Sequence, residues 1–134
     1  MAWISVGLAT LHILQAAPAS DERARYDRAV ECAGILSATA LLREATGDAA
    51  AADARDKANG LVSFAYGRSR QLAVPPSEYF AALESAAQTA VRPLRGVEDL
   101  DAVRATLTRM EPAIAGCEAF GAELAAQLAA SGTS

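Results

Sequence analysis

The stretch VECAGILSA, residues 30–38, decides the fold, because it places Cys32 inside an apolar, alanine-rich segment. The second cysteine, Cys117, lies far downstream in IAGCEAFGAEL, residues 114–124. Both segments have apolar residues at helical spacing, so each cysteine falls on the face that a helix would bury. Two cysteines on buried helix faces predict a covalent link between two helices.

Helix A, which contains Cys32, is predicted to begin at Ser20 or Asp21 as cap residue and to end near Thr46, where Gly47 supplies a stop. Its predicted buried residues are Ala29, Cys32, Ile35, Leu36, Thr39 and Leu42.

Helix D, which contains Cys117, has the clearest pattern in the chain. Its apolar positions alternate in steps of three and four, the spacing of a packed helix pair. They are Leu100, Val103, Leu107, Met110, Ile114, Cys117, Gly121, Leu124 and Leu128. Pro112 removes one backbone donor, but the pattern keeps its phase across it. We therefore expect one bent helix.

Two further helices are predicted between A and D. Helix B runs from Asp48 to about Ala73, before Pro75-Pro76, and helix C runs from a Ser77 cap to the region of Pro93 and Gly96. The expected buried residues are Ala54, Ala58, Leu61, Ala65 and Leu72 in helix B, and Phe80, Leu83, Ala87, Ala90 and Val91 in helix C. Gly60 and Gly67 are expected to permit close helix packing. The alternative for LVSFAYG, residues 61–67, is a strand after an Asn-Gly turn.

The predicted fold class is all-α, an up-down-up-down four-helix bundle with one inter-helix disulfide and an N-terminal signal helix. If A and D are antiparallel neighbours, Cys32 and Cys117 lie about 17 Å and 21 Å from the same bundle end. The two cysteines are thus at nearly the same distance from that end, so we expect a disulfide between them. The alternative is two buried reduced thiols.

Residues 1–19 resemble a signal peptide, with an apolar run followed by Ala17-Pro18-Ala19, although the segment has no Lys or Arg. The expected organisation is a signal peptide over 1–19, a helical domain over 20–131 and a frayed tail over 132–134, in a periplasmic or secreted protein. Two alternatives are an uncleaved membrane anchor and an ordinary packed helix of a cytosolic protein. After cleavage no stable membrane span is expected.

Composition excludes several function classes. The net charge of −4 argues against nucleic-acid binding. The single histidine, His12, lies in the expected leader, so neither a metal site nor a catalytic cysteine is supported, and no cofactor is expected. Glu98, Asp99 and Asp101 are interpreted as favourable charges at the start of helix D.

One candidate site follows if the bundle is assumed, at the end where A and C start and B and D end. Its residues are Arg25, Arg28, Arg68, Arg70, Tyr26, Tyr79 and Phe80. Guanidinium groups bind carboxylates or phosphates, and rings add apolar area. The competing interpretation is that Asp21, Glu22, Asp27 and Glu78 neutralise the arginines and that the rings cap the core.

The sequence therefore predicts a non-enzymatic binding or structural protein, whose partner is an envelope protein or a small anionic ligand. A membrane-tethered accessory protein, anchored by residues 1–19, is the first alternative. An enzyme that uses arginine and carboxylate groups at the aromatic end is the second alternative.

Overall fold

The computed structural model describes the backbone of residues 2–132 and the side chains of residues 21–132. Over these residues the chain forms four helices and no strand. The helices are α1 (Ala2–Ala45), α2 (Ala51–Gln71), α3 (Pro76–Ala90) and α4 (Leu100–Ala130). The all-helical class is confirmed, and LVSFAYG lies inside α2, so the strand alternative is wrong.

The two ends of α1 compare differently with the sequence prediction. The predicted start at Ser20 or Asp21 is wrong, because α1 continues upstream of both residues. The predicted stop is confirmed: Gly47 has φ +70°, a conformation that glycine adopts without a Cβ clash. Asp48 accepts a hydrogen bond from the Ala50 backbone N–H at 2.8 Å, and α2 begins shortly after it. The signal-peptide prediction for 1–19 concerns side chains outside the described part and stays a prediction.

The described part of α1 lies at the centre of the molecule, in contact with α2, α3 and α4. Three successive residues, Cys32, Ala33 and Gly34, are all buried. Successive side chains on a helix point about 100° apart, so such a run is buried only where neighbours lie on several sides. The small side chains of this helix let three partners approach it at once.

Gly34 is the position of closest approach between α1 and α3. A Cβ atom there would lie 2.6 Å from the Ala86 Cβ and 2.9 Å from the Leu83 carbonyl oxygen. The expectation for Gly60 and Gly67 is wrong, because a Cβ at either would meet nothing within 4 Å. Close helix packing depends on Gly34 instead.

Cys32 and Cys117 join α1 to α4. Their sulfur atoms lie at disulfide-bonding distance, the Cα atoms are 5.1 Å apart, and both residues are fully buried. The predicted pairing of the two cysteines is therefore confirmed in space. The pair lies in the larger of two core clusters, with Leu36, Leu61 and Ile114.

The predicted stripe of α4 is confirmed in the middle and wrong at its ends. The helix is continuous through Pro112, and its buried residues include Val103, Met110, Ile114, Cys117 and Leu124. Leu100 and Leu128 are instead 39% and 43% exposed. They belong to the first and last turns of α4, where the neighbouring helices no longer cover the stripe.

The predicted buried face of α3 is confirmed from Leu83 onward and wrong at its first residue, Phe80. Phe80 is 55% exposed, whereas Tyr79 is only 1% exposed and belongs to a second core cluster with Tyr26, Val30 and Ala65. Adjacent side chains on a helix point about 100° apart, and here the neighbouring helices cover only that of Tyr79. The expectation that Phe80 is buried was therefore wrong.

Candidate functional site

Of the seven predicted site residues, Tyr26 and Tyr79 are core residues. The Tyr79 hydroxyl donates a hydrogen bond to the Val62 carbonyl oxygen at 3.2 Å. Burial is the main cause that raises the pKa of both tyrosines above the usual value of 10.0. Their rings are covered by protein, so they stabilise the bundle end and offer little surface to a ligand.

Phe80 lies on the surface beside Tyr66. The two ring centroids are 6.4 Å apart, and the Phe80 ring also contacts the buried Tyr79 ring edge-on at 5.0 Å. This exposed ring pair connects α2 to α3. None of the four predicted arginines stands over either ring, and Arg28 and Arg68 stand over other rings.

Two of the four predicted arginines form ion pairs and also cover aromatic rings. Arg28 pairs with Glu31 and lies over the Phe120 ring at 6.0 Å. Arg68 is 4.0 Å from Glu22 and lies over the Phe64 ring at 5.3 Å. Glu22 therefore has the neutralising role that the competing interpretation gave it.

Asp27 and Glu78 pair with an arginine that the sequence analysis did not single out. Arg23 lies 3.3 Å from Asp27 and 3.6 Å from Glu78, and its guanidinium also stands over the Tyr26 ring at 5.4 Å. Arg25 and Arg70 have no ion-pair partner among the described side chains. The seven candidates therefore do not form one continuous site.

A groove between α2 and α4, which we call the α2/α4 groove, lies next to part of this set, although none of the seven residues lines it. Its volume is about 370 Å³, and α1 forms its floor. The lining residues are Leu36, Lys57, Gly60, Leu61, Phe64, Cys117, Glu118, Gly121, Ala122, Leu124, Ala125 and Leu128. Apart from the charged pair at one end, the lining is apolar.

The two ends of the α2/α4 groove differ in charge. At one end the Lys57 ammonium lies 2.5 Å from Glu118 and 2.9 Å from Asp53, and hydrogen bonds to these carboxylates raise the pKa of Lys57. At the other end Phe64 supports the Arg68 guanidinium. Leu124 there also lines a small cavity beside Arg25. Guanidinium groups therefore border the Phe64 end of the groove.

The sequence analysis did not predict this groove, although two glycines inside helices could have indicated it. Gly60 and Gly121 each lie in the middle of a helix, where glycine costs about 1 kcal/mol relative to alanine. A Cβ on Gly60 would meet nothing within 4 Å, and one on Gly121 would meet only Leu61, at 4.0 Å. These glycines leave space between α2 and α4.

A larger groove of about 610 Å³ lies between α3 and α4, on the other side of α1; we call it the α3/α4 groove. Its apolar lining residues are Val30, Ile35, Ala82, Ala86, Ala90, Met110 and Ala113. Its charged lining residues are Arg23, Asp27, Glu31, Glu78 and Arg109. Cavities of this size accommodate small organic molecules.

The acidic cluster at the start of α4 has a structural role. Asp99 is the N-cap residue of α4, and its carboxylate accepts a hydrogen bond from the Ala102 backbone N–H at 3.2 Å. Over the described residues, no group of three or more metal-ligating side chains comes together.

Among the helices of the described chain, none combines the length and the apolar character that crossing a membrane requires. The cysteine pair and this finding are compatible with an extracellular protein. No protein-family model, curated protein or solved structure matches this chain.

Proposed function

We propose that the protein is an exported, non-enzymatic binding protein, which holds an anionic amphipathic molecule in the α2/α4 groove. The observation behind this proposal is the combination of an apolar groove with guanidinium groups at one end only. An apolar tail would lie along Leu36, Leu61 and Leu124. The anionic group would lie between Arg68 and Arg25.

The free energy of such binding comes mainly from the apolar surface that leaves water, at roughly 25 cal/mol per Å². Nearly all of the groove between its two ends lacks hydrogen-bonding groups, so a peptide backbone or a sugar placed there would lose hydrogen bonds to water without replacement. A hydrocarbon tail makes no hydrogen bonds to water, so it loses none when it enters the groove. The chemistry of the lining therefore favours a hydrocarbon chain as occupant.

The Arg68 side chain is suited to binding the anionic group. Its contact with Glu22 is long, at 4.0 Å, and both side chains remain partly exposed. An ion pair of that kind contributes only about 0 to 1 kcal/mol, so a ligand carboxylate can replace Glu22 at low cost. Arg25 has no ion-pair partner among the described side chains, so no existing ion pair has to break before it binds the ligand.

We also propose an up-down-up-down order of helices and export with removal of residues 1–19. Arg28 lies beside Gly116 and Phe120, whereas Arg43, further along α1, lines a cavity with Leu107 and Glu111. This order supports an antiparallel α1/α4 pair. A disulfide between them supports an oxidising compartment outside the cytosol.

The proposed function is tested by isothermal titration calorimetry with two probes of equal chain length, the anionic dodecanoate and the uncharged dodecyldimethylphosphine oxide. We expect dodecanoate to bind more tightly. Replacing both Arg25 and Arg68 with Gln should weaken dodecanoate binding about tenfold, because the charge-assisted hydrogen bonds are lost.

The matched control is Arg70→Gln, since Arg70 is exposed on the same helix as Arg68 but does not stand over Phe64, the lining residue that Arg68 contacts. It should bind dodecanoate like the unaltered protein. Equal binding of both probes, or equal losses in the control and the double variant, would contradict the proposal.

A further inference from the structure

The α3/α4 groove is separate from the α2/α4 groove, because α1 lies between them. Ile35 lines the first groove, and its neighbour Leu36 lines the second. Contacts between α3 and α4 are few, so a gap remains between the two helices, and the buried side chains of Val30 and Met110 form its floor. A molecule in this groove would touch none of the residues assigned to the anionic ligand.

One end of this groove has an excess of negative charge. Asp27 and Glu78 both lie within 4 Å of a single guanidinium, that of Arg23. Glu31 also lines the groove, whereas its partner Arg28 does not. Arg28 neutralises Glu31, so the excess at this end is the one negative charge that Asp27 and Glu78 leave after pairing with Arg23.

The arginine at the other end is already engaged. Arg109 donates a hydrogen bond to the Ala90 carbonyl oxygen at 3.0 Å, in the last residue of α3. A cation near a helix C-terminus is stabilised by the partial negative charge of the terminal carbonyls. Arg109 keeps its positive charge, but it lies at the C-terminus of α3, so the excess of negative charge is confined to the end with Asp27 and Glu78.

We propose that the α3/α4 groove is a second binding site, which takes an organic cation with an apolar body. The positive group lies beside Asp27 and Glu78, where two carboxylates share one guanidinium. The apolar body lies over Val30, Met110 and the alanines of α3. Charge complementarity selects the sign of the ligand, and the apolar floor supplies most of the contact area.

The test uses two probes of nearly identical shape and opposite charge, tetraphenylphosphonium and tetraphenylborate, measured by isothermal titration calorimetry at low salt. Tetraphenylphosphonium should bind at least tenfold more tightly. Raising the salt concentration should narrow the difference, because exposed charges are screened. Equal affinities, or tighter binding of tetraphenylborate, would overturn the proposal.

Two substitutions address the carboxylates. Asp27→Asn combined with Glu78→Gln should weaken tetraphenylphosphonium binding roughly five- to tenfold, since two exposed carboxylates no longer attract the cation. The control is Glu84→Gln on α3, which removes one negative charge outside the groove. A loss in the control as large as that in the double variant would overturn the assignment.

Substitutions at two adjacent alanines test whether the cation binds in the α3/α4 groove. Ala82 lines the groove, whereas Ala81 is exposed and does not. Ala82→Trp should abolish tetraphenylphosphonium binding by filling the space, and Ala81→Trp should leave it unchanged. Circular dichroism checks that both variants fold. If Ala82→Trp binds the probe normally, the site is not this groove.

The proposed anion site and the proposed cation site can be tested independently of each other. The Arg25 and Arg68 double variant should bind tetraphenylphosphonium like the unaltered protein, whatever it does to dodecanoate. If that double variant lost tetraphenylphosphonium, the two grooves would not be independent and the second site would be rejected.

Discussion

Gly34 is the residue on which the packing of α1 against α3 depends. Its missing side chain lets the Leu83 carbonyl oxygen and the Ala86 methyl group come within 3 Å of the position that a Cβ would occupy. Glycine inside a helix costs about 1 kcal/mol relative to alanine. Here that cost is offset by the close approach of two helices.

Gly34→Ala should therefore destabilise the protein by about 1 to 3 kcal/mol, the usual range for overpacking, even though alanine favours the helix. Urea unfolding followed by circular dichroism measures the change. Gly60→Ala is the matched control: it should be neutral or stabilising by up to about 1 kcal/mol, because its Cβ meets nothing within 4 Å. Equal stability changes in the two variants would contradict this account of α1 and α3.

Residue-level prediction succeeded for the cysteines and failed for neighbouring residues of similar chemistry. Cys32 and Cys117 could be paired because each lies on a clear apolar stripe. The sequence does not show which of Tyr79 and Phe80 is buried, because both rings continue an alanine-rich pattern and either could face the core. The structure places Tyr79 inside, where its hydroxyl finds the Val62 carbonyl oxygen.

At the scale of the helix, the stop of α1 and the acidic start of α4 were predictable, whereas the start of α1 was not. Asp99 sits before α4 with extended backbone angles, and its side chain accepts a hydrogen bond from an N–H group of the first turn. The first N–H groups of a helix have no partner within the helix, so such a residue completes their hydrogen bonding.

Asp99→Ala should destabilise the protein by about 1 kcal/mol through the loss of this cap. Asp99→Asn keeps an acceptor oxygen in the same place and should retain most of the stability. Thermal unfolding of the two variants measures the difference. If both lose the same amount, the charge of Asp99 matters and the cap does not.

The number of helices and most of the buried stripe of α4 were also predictable, since hydrophobic spacing and the Pro75-Pro76 pair are local signals. The start of α3 was predicted within one residue. The exposure of Leu100 and Leu128 was not predictable, because a stripe shows which face of a helix is apolar but not how far a neighbour extends along it.

For the whole molecule, the central position of α1 is the feature that pattern analysis missed. A search for one apolar face assumes that a helix has one buried side. Cys32, Ala33 and Gly34 are buried together because α1 has three helical neighbours. The two grooves were missed for the same reason. Each exists because two neighbours of α1 do not contact each other closely, and the pattern of a single helix does not show which neighbours leave such a gap.

Replacing both Cys32 and Cys117 with alanine should destabilise the molecule by about 4 to 5 kcal/mol, because the link closes a loop of 85 residues in the unfolded chain. Guanidinium unfolding with and without reductant measures the effect. The unaltered protein in reductant should approach the stability of the double variant. Reductant that leaves the unfolding midpoint unchanged would show that the link contributes little.

The position of that link also bears on the order of events during synthesis. Cys32 leaves the ribosome early, whereas Cys117 belongs to the last helix and emerges after α1, α2 and α3 are complete. Cys32 therefore has no partner thiol within its own chain until Cys117 has been made. Any mispairing with another molecule has to happen in that interval.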